Sequence, residues 1–211
     1  QKVIIAPQLP QAAEVLRRRC REFYIEPTWV AENVSVKFSG YEQGHQILNF
    51  KTPPCEYNNT KLSLAGAHQR LNAATAVCAA EVLRISFAAG RLNAAFSSIV
   101  WPGRFEVISQ NPTVILDCAH NEASMECLME SLNDIYPGRR FCFVLGFSKD
   151  KNIEAMARLL QKTAKCVILT RADHPRAHHF SSNEGEKFFS GVTTVMTDSI
   201  EQAFKKTQDL C

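Results

Sequence analysis

Asp117, His120 and Asn121 stand within five residues of one another in the stretch VILDCAHNEAS, residues 114 to 124. Val114, Ile115 and Leu116 read as the end of a buried β-strand. The residues after Asn121 read as a helix. In open α/β sheets, ligands bind beyond the carboxyl ends of the strands and near helix N-termini. An acid, a histidine and a carboxamide at such a junction therefore lie on the edge where chemistry is done. The same residue types also have structural uses. Asp and Asn close turns and cap helices, and a histidine between two elements serves as an ordinary loop residue.

The elements that must position these residues are legible on both sides. From residue 113 onward, the apolar stretches TVILD, FCFVLG, KCVILT and VTTVM read as strands. Helices fall between or after them. One carries Met125, Leu128, Met129, Leu132 and Ile135 on a single face and stops at YPG. Another carries Ile153, Met156, Leu159 and Leu160. SSNEGEKFF is a weaker helix, and DSIEQAFKKTQDL is a last one with Asp198 as its expected cap. Continuous apolar strands alternating with amphipathic helices predict an α/β fold with a mostly parallel, Rossmann-like sheet covered by helices on both faces.

Upstream, KVIIA reads as a strand. PQAAEVLRRRCREF reads as a helix with Ala12, Val15, Leu16, Cys20 and Phe23 at helical spacing and Pro10 near its start. Alternation on both sides of GYEQG predicts a hairpin. TPPCEYNNT reads as a polar loop and HQRLNAATAVCAAEVLRI as a buried helix. WPGR breaks the chain, which sets a domain boundary at residues 103 and 104. The opening QKVIIAPQ reads as a strand already under way, so the 211 residues are expected to be part of a longer protein.

Bulk properties exclude several classes. Hydrophobic residues at 45% and charged residues at 21% are ordinary globular composition and argue against long disorder. A dispersed net charge of +3 gives no basis for a nucleic-acid or anionic-lipid partner. No apolar run approaches the roughly 18 residues of a membrane span, and no signal peptide opens the chain. The eight cysteines, Cys20, Cys55, Cys78, Cys118, Cys127, Cys142, Cys166 and Cys211, form no C-x-x-C. They are expected as buried thiols of a cytoplasmic protein, neither disulfide-linked nor zinc-bound. A monomer is expected. His174, His178 and His179 lack a cysteine partner and a shared helical face, so no metal site is assigned to them.

At this point the motifs carry a resemblance. WPGRFEVISQNPTVILDCAHN resembles the signature of the folylpolyglutamate synthase and dihydrofolate synthase family, in the Mur ligase superfamily. That signature is W-P-G-R, a short strand, and a strand ending in L-D-G-A-H-N. LAGAHQRLNAATA resembles the family's G-x-H-Q-x-x-N-A-A helix. VLGFSKDKNIEAMARLL resembles its strand, D-K-D loop and helix, and LTRADHPRA its T-R-x-D-x-P-R-A loop. APQLPQAAEVL matches the segment ahead of the hairpin. The matches run in the family's order along nearly the whole chain. Cys118 stands where the family has glycine, and Asn152 where it often has an acid. The family's phosphate loop, of the form G-x-x-x-x-G-K-[ST], occurs nowhere in these 211 residues, nor do the magnesium ligands that follow it.

The resemblance implies that residues 1–103 are the end of a central ATPase domain and residues 104–211 a glutamate ligase domain. It implies an ATP-dependent acid–amino-acid ligase. ATP phosphorylates a carboxylate of dihydropteroate or a folate, and the amine of L-glutamate then displaces the phosphate. Such transfer rests on positioning and charge neutralisation. ATP and Mg2+ are the implied cofactors, the metal ligands being expected ahead of Gln1. Residue by residue, Asn72, Arg104 and Asp117 match the family's nucleotide-binding asparagine, arginine and aspartate. His120 and Asn121 match the end of its catalytic motif, with His120 a candidate to orient glutamate, and Arg176 a candidate for a substrate carboxylate.

The alternatives are a helix cap for Asn72, a boundary ion pair for Arg104, a strand-end turn for Asp117, support of the turn for His120 and a solvated loop charge for Arg176. Lys149 and Lys151 read as exposed loop charges that could also neutralise phosphate, and His68 and Gln69 as shaping the turn into their helix. A non-catalytic nucleotide- or partner-binding module is the alternative function. The absence of G-x-G-x-x-G after any strand counts against a dinucleotide-binding domain.

Overall fold

A computed structural model of the chain describes residues 1–85 and 89–210. Its first elements are β1 (Ile4–Ile5), α1 (Pro10–Glu22), β2 (Thr28–Trp29) and α2 (Val30–Asn33), with β1 and β2 paired in parallel. Pro10 opens α1, where its missing N–H costs nothing. The expected apolar face of α1 is only partly used. Ala13 and Cys20, two turns apart, are buried, while Val15 and Phe23 are more than half exposed. Val15 sits about 200° around the helix from Ala13 at about 100° per residue, so it cannot share the buried seam.

The alternating segment forms the predicted hairpin of β3 (Ser35–Glu42) and β4 (His45–Lys51), and β5 (Glu56–Leu62) completes an antiparallel sheet in the order β3-β4-β5. The expectation that TPPCEYNNT is all loop is therefore corrected from Glu56 onward. Tyr57, Thr60 and Leu62 are buried, and only two of them are apolar, so the strand's inward face is partly written in polar residues. The Tyr57 hydroxyl donates to Glu81 Oε1 at 3.0 Å, and burial, together with hydrogen bonds to Cys55 and Glu81, pushes the phenol up. Thr52 donates to the same Glu81 oxygen at 2.8 Å.

Over this sheet lie α3 (Ala67–Val82) and α4 (Ala89–Ser97), the latter unforeseen. Ala73, Ala74, Val77 and Cys78 of α3, and Leu92 and Phe96 of α4, close a core around Leu48 and Phe50. Each large side chain there contributes about 1.5–3 kcal/mol by leaving water.

β6 (Glu106–Gln110) and β7 (Thr113–Leu116) pair antiparallel across Asn111 and Pro112. This corrects the placement of TVIL in the parallel sheet. The strand is half-buried with Leu116 exposed, which also corrects the expected burial. An apolar run does not give the direction of its partner, and a two-residue connection permits a hairpin.

The remaining elements are α5 (Glu122–Ile135), β8 (Phe141–Leu145), α6 (Ile153–Gln161), β9 (Ala164–Leu169), α7 (Ser182–Phe188), β10 (Thr193–Met196) and α8 (Ile200–Leu210). β8, β9 and β10 form a parallel sheet in the order β10-β9-β8. Central β9 is buried at every position except Lys165, as a strand covered on both faces requires. Met156, Ala157 and Leu160 of α6 meet Val167 and Leu169 on one face. Cys166 and Ile168 alternate to the other, where α8 packs on β8 and β9. The cap of α8 is Ser199, whose hydroxyl accepts from the Gln202 N–H at 3.2 Å. The expected Asp198 lies one residue too early and faces Arg171 instead.

Spatially the chain divides into two units, Gln1–Asp117 and Cys118–Cys211. The boundary expected at residues 103 and 104 differs from this division by the β6–β7 hairpin and its flanking turn. Among the cysteines, Cys20, Cys78 and Cys166 are buried, Cys127 and Cys142 half-buried, and Cys55 and Cys118 exposed, which corrects the expectation for those two. Cys211 lies outside the described residues. Among the described residues, no helix is long and apolar enough to cross a membrane.

Candidate functional site

In the first unit, Asp117 follows the last residue of β7. Its Oδ2 accepts the Phe105 N–H at 2.8 Å, so the strand end holds the turn of residues 101–105 from behind. That turn is bent by Gly103 (φ 69°) and by Phe105 (φ 48°), a buried side chain in the left-handed region. Glu106 steadies it by accepting the Gly103 N–H at 2.8 Å. Arg104 sits between these two anchors with an exposed side chain. The turn thus presents one cation beside one strand-end carboxylate. Asp117 does hold a turn, as its structural alternative proposed, and it remains exposed.

Asn72 lies six residues into α3, so it does not cap that helix. Its Nδ2 donates to Gln69 Oε1 at 3.0 Å, and Gln69 Nε2 lies 3.1 Å from His68 Nε2. The first turn of α3 is therefore held by a row of polar side chains, in line with the expected role of His68 and Gln69. Sequence reasoning missed the residue behind them. Gln46 of β4 is buried and its amide donates to the carbonyls of Leu64 at 2.7 Å and Gly66 at 3.1 Å. Arg70 donates to Gln46 Oε1 at 2.5 Å and stacks 3.6 Å over the Phe38 ring. A glutamine in an inward position of an alternating strand was the available signal, because a buried amide needs partners.

In the second unit, Asn121 caps α5. Its Oδ1 accepts the Ser124 N–H at 2.9 Å, and Ser124 Oγ accepts the N–H groups of Asn121 at 3.1 Å and His120 at 3.0 Å. His120 Nδ1 lies 3.0 Å from the Cys118 carbonyl. A carbonyl can only accept, so Nδ1 carries a proton in this contact, and the ring is exposed. Asn152, at the position where the resembling family has an acid, caps α6 and donates to Glu122 Oε1 at 2.7 Å. It thereby ties the starts of α5 and α6 together.

The loops after β8 and β9 are joined through their main chains. The Lys149 N–H donates to the Arg176 carbonyl at 2.9 Å, and Ser148 bridges to Ala177. Lys149 Nζ donates to the Pro175 carbonyl at 3.1 Å, and Lys151 pairs with Asp150 at 3.1 Å, so both lysines serve the loop. Arg176 is fixed by its backbone N–H on His174 Nδ1 at 3.1 Å, and its guanidinium is exposed. Hydrogen bonds from Lys151 and from its own backbone, with the charges of Lys151 and Arg176, hold the Asp150 carboxyl below its ordinary range.

The three histidines part company. His174 holds Arg176, His178 sits edge-on to Phe180 and 3.3 Å from Glu184, and His179 Nδ1 accepts from Arg171 at 2.6 Å. Beyond β9 and β10 lies a cleft of about 580 Å³ lined by Arg171, Asp173, His174 and Asp198 among others.

The structure thus brings Arg104 and Asp117 to one turn, and Lys149 and Arg176 to one pair of loops. His120 and Asn121 share one capping knot, and Asn72 stands in its own row on α3. Among the described residues, no three His, Cys, Asp or Glu side chains gather as metal ligands.

Residues 103–210 match the family model described as Mur ligase, glutamate ligase domain. The chain is 33% identical over 181 residues to the dihydrofolate synthase/folylpolyglutamate synthase of Bacillus subtilis, covering 83% of this chain and 42% of that protein. It is 28% identical over 182 residues to the protein of the same name from Mycobacterium tuberculosis, covering 82% and 37%. The chain therefore spans less than half the length of these curated relatives. In structure it is similar to the Mycobacterium tuberculosis folylpolyglutamate synthase solved with ADP, with a TM-score of 0.92 and 24% identity over 99% of this chain and 47% of that one. Folylpolyglutamate synthase from Thermotoga maritima gives a TM-score of 0.82 at 23% identity, covering 96% and 48%. At these identities the structural likeness speaks for the fold.

Proposed function

The chain belongs to the Mur ligase family, and on that premise we propose that it serves an ATP-dependent ligase of the folylpolyglutamate synthase and dihydrofolate synthase branch. The reaction joins L-glutamate to dihydropteroate or to a folate polyglutamate. The observation that carries the proposal is the turn of residues 101–105. There the backbone next to exposed Arg104 is tied through the Phe105 N–H to the strand-end carboxylate of Asp117, in a family whose curated relatives bear this activity by name.

In this reading Arg104 and Asp117 hold the nucleotide, with Asn72 toward its base. ATP supplies the phosphoryl group that activates the acceptor carboxylate. Arg104 keeps its charge at any working pH and can fork onto phosphate or ribose oxygens. Asp117 accepts from ribose hydroxyls. The Mg2+ that accompanies ATP would need ligands other than a cluster of described residues.

His120 is assigned to the amino-acid substrate. Its Nδ1 is engaged by the Cys118 carbonyl, which leaves Nε2 for the amino-acid substrate, and Arg176 would hold a glutamate or acceptor carboxylate. Asn121 acts through His120 by fixing the knot in which the His120 N–H is held. Residues 104–211 act as the glutamate ligase domain.

Residues 1–211 contain no phosphate loop, and are expected to be inactive alone. The test is glutamate-dependent phosphate release with ATP and dihydropteroate or folate. Release is expected when a phosphate-loop domain precedes this chain, and none from residues 1–211. Release from the shorter protein contradicts the assignment of triphosphate binding to the missing motif. Nucleotide binding without release from either protein would identify a binding module instead.

A further inference from the structure

The described structure holds two sulfur atoms in direct contact between the central and an edge strand of the parallel sheet, and no part of the proposed ligase reaction uses them. Cys142 of β8 and Cys166 of β9 are register partners, so their side chains leave the same face of the sheet side by side. Cys166 Sγ and Cys142 Sγ lie 2.6 Å apart. Adjacent strands lie about 4.8 Å apart, which falls within the Cα separation of about 4.4–6.8 Å that a disulfide accepts. The bond can therefore form with little movement of either strand. The two sulfurs differ in access. Cys166 is 3% exposed, whereas Cys142 is half-buried.

We propose that Cys142 and Cys166 are a redox modification site, converted to a reversible cross-strand disulfide by low-molecular-weight disulfides such as oxidised glutathione. The half-buried thiol reacts first. Cys142, after losing its proton to solvent, attacks one sulfur of oxidised glutathione. A protein–glutathione disulfide forms and one glutathione thiolate leaves. Cys166, deprotonated in turn, attacks Cys142 Sγ. The Cys142–Cys166 bond forms and the second glutathione thiolate leaves. Overall, two protein thiols are oxidised, one glutathione disulfide is reduced, and the two thiolates take up the two protons as glutathione. Excess reduced glutathione runs the exchange backward.

The test uses the reduced 211-residue chain incubated with oxidised glutathione, alkylated, and digested without reductant. The expected product is a peptide pair joined between Cys142 and Cys166. The joined pair weighs about 2 Da, two hydrogens, less than its two peptides with free thiols, and dithiothreitol separates them. Cys142→Ser should abolish the cross-link and leave Cys166 as a thiol that alkylates only after denaturation. Cys166→Ala should halt the exchange at glutathione bound to Cys142. If the Cys166→Ala chain fails to fold, the parent chain and Cys142→Ser decide alone. The proposal is overturned if both thiols of the parent chain remain fully alkylatable in denaturant after oxidation. It is also overturned if Cys142 keeps glutathione without passing to Cys166, or if the links recovered join other cysteines.

Discussion

Asp117 and Arg176 each follow a strand, in different units, and they are held in opposite ways. Asp117 uses its side chain, and Oδ2 accepts the N–H of Phe105, a residue with φ at 48°. Arg176 uses its main chain. Its carbonyl accepts from Lys149 and its N–H donates to His174, and the guanidinium stays exposed. The same contrast separates Asn72, whose amide is engaged by Gln69, from His120, whose N–H is held by Ser124 and whose ring is exposed. Where a side chain both shapes the fold and meets a ligand, its loss should be felt twice. Where the backbone does the shaping, function should separate from stability.

The largest expected effect is at Asp117. Asp117→Ala leaves the Phe105 N–H without its acceptor and should lower stability by about 1–3 kcal/mol in denaturant unfolding. Asp117→Asn keeps a carbonyl oxygen there and should recover most of that loss. Equal losses in the two variants would mean that charge, rather than the hydrogen bond, supports the turn.

Asn121 should come next. Removing the cap with Asn121→Ala is expected to cost about 1 kcal/mol, while Asn121→Gly should cost a few tenths. If the glycine variant proves as costly as the alanine one, the capping knot is not what holds the start of α5.

A smaller, pH-dependent effect is expected at α7. The Glu184 carboxyl is held below its ordinary value by the Ser181 N–H, then by the Ser181 hydroxyl and by nearby His178. A depressed folded value means that the contribution is present above the unfolded pKa of about 4.5 and fades as pH falls through the folded one. The melting temperatures of the parent and of Glu184→Gln should therefore differ at pH 7 and converge in acid below pH 4.5. A gap that widens in acid would contradict the sign.

Arg176→Ala is expected to change stability by less than about 0.5 kcal/mol, since its side chain anchors no element. Thermal melting checks this, and a large drop would erase the contrast with Asp117.

How far the sequence could foresee this follows from what each signal measures. The stripes of α5 and α6 were legible because Met125, Leu132, Met156 and Leu160 are apolar and buried at helical spacing. Asn121 sits at its expected helix start for the same reason. The strand β5 was hidden because Thr60 fills an inward position without being apolar. β7 was misassigned because TVIL carries no information on whether its neighbour runs parallel. The cap of α8 slipped from Asp198 to Ser199 because both residues can cap and only the backbone path chooses between them. At the candidate site, residue types pointed to Asp117 and Arg104. The tie between Asp117 and Phe105 depends on a positive φ that no pattern of side chains announces. Gln46 and the pair Cys142 and Cys166 became visible only once strand register placed their partners.

In the proposed ligase, Asp117 and His120 of the DCAHN stretch serve different substrates. Steady-state kinetics of Asp117→Ala and His120→Ala, measured in a protein with the phosphate loop ahead of this chain, test it most directly. Losing one charge-assisted hydrogen bond corresponds to about 1.5–3 kcal/mol, or roughly ten- to more than a hundredfold in the affected parameter. Asp117→Ala should raise the KM for ATP by that factor and leave the KM for glutamate near its original value. His120→Ala should do the reverse. If both variants impair ATP and glutamate alike, Asp117 and His120 only hold the turn together and the division between them is wrong.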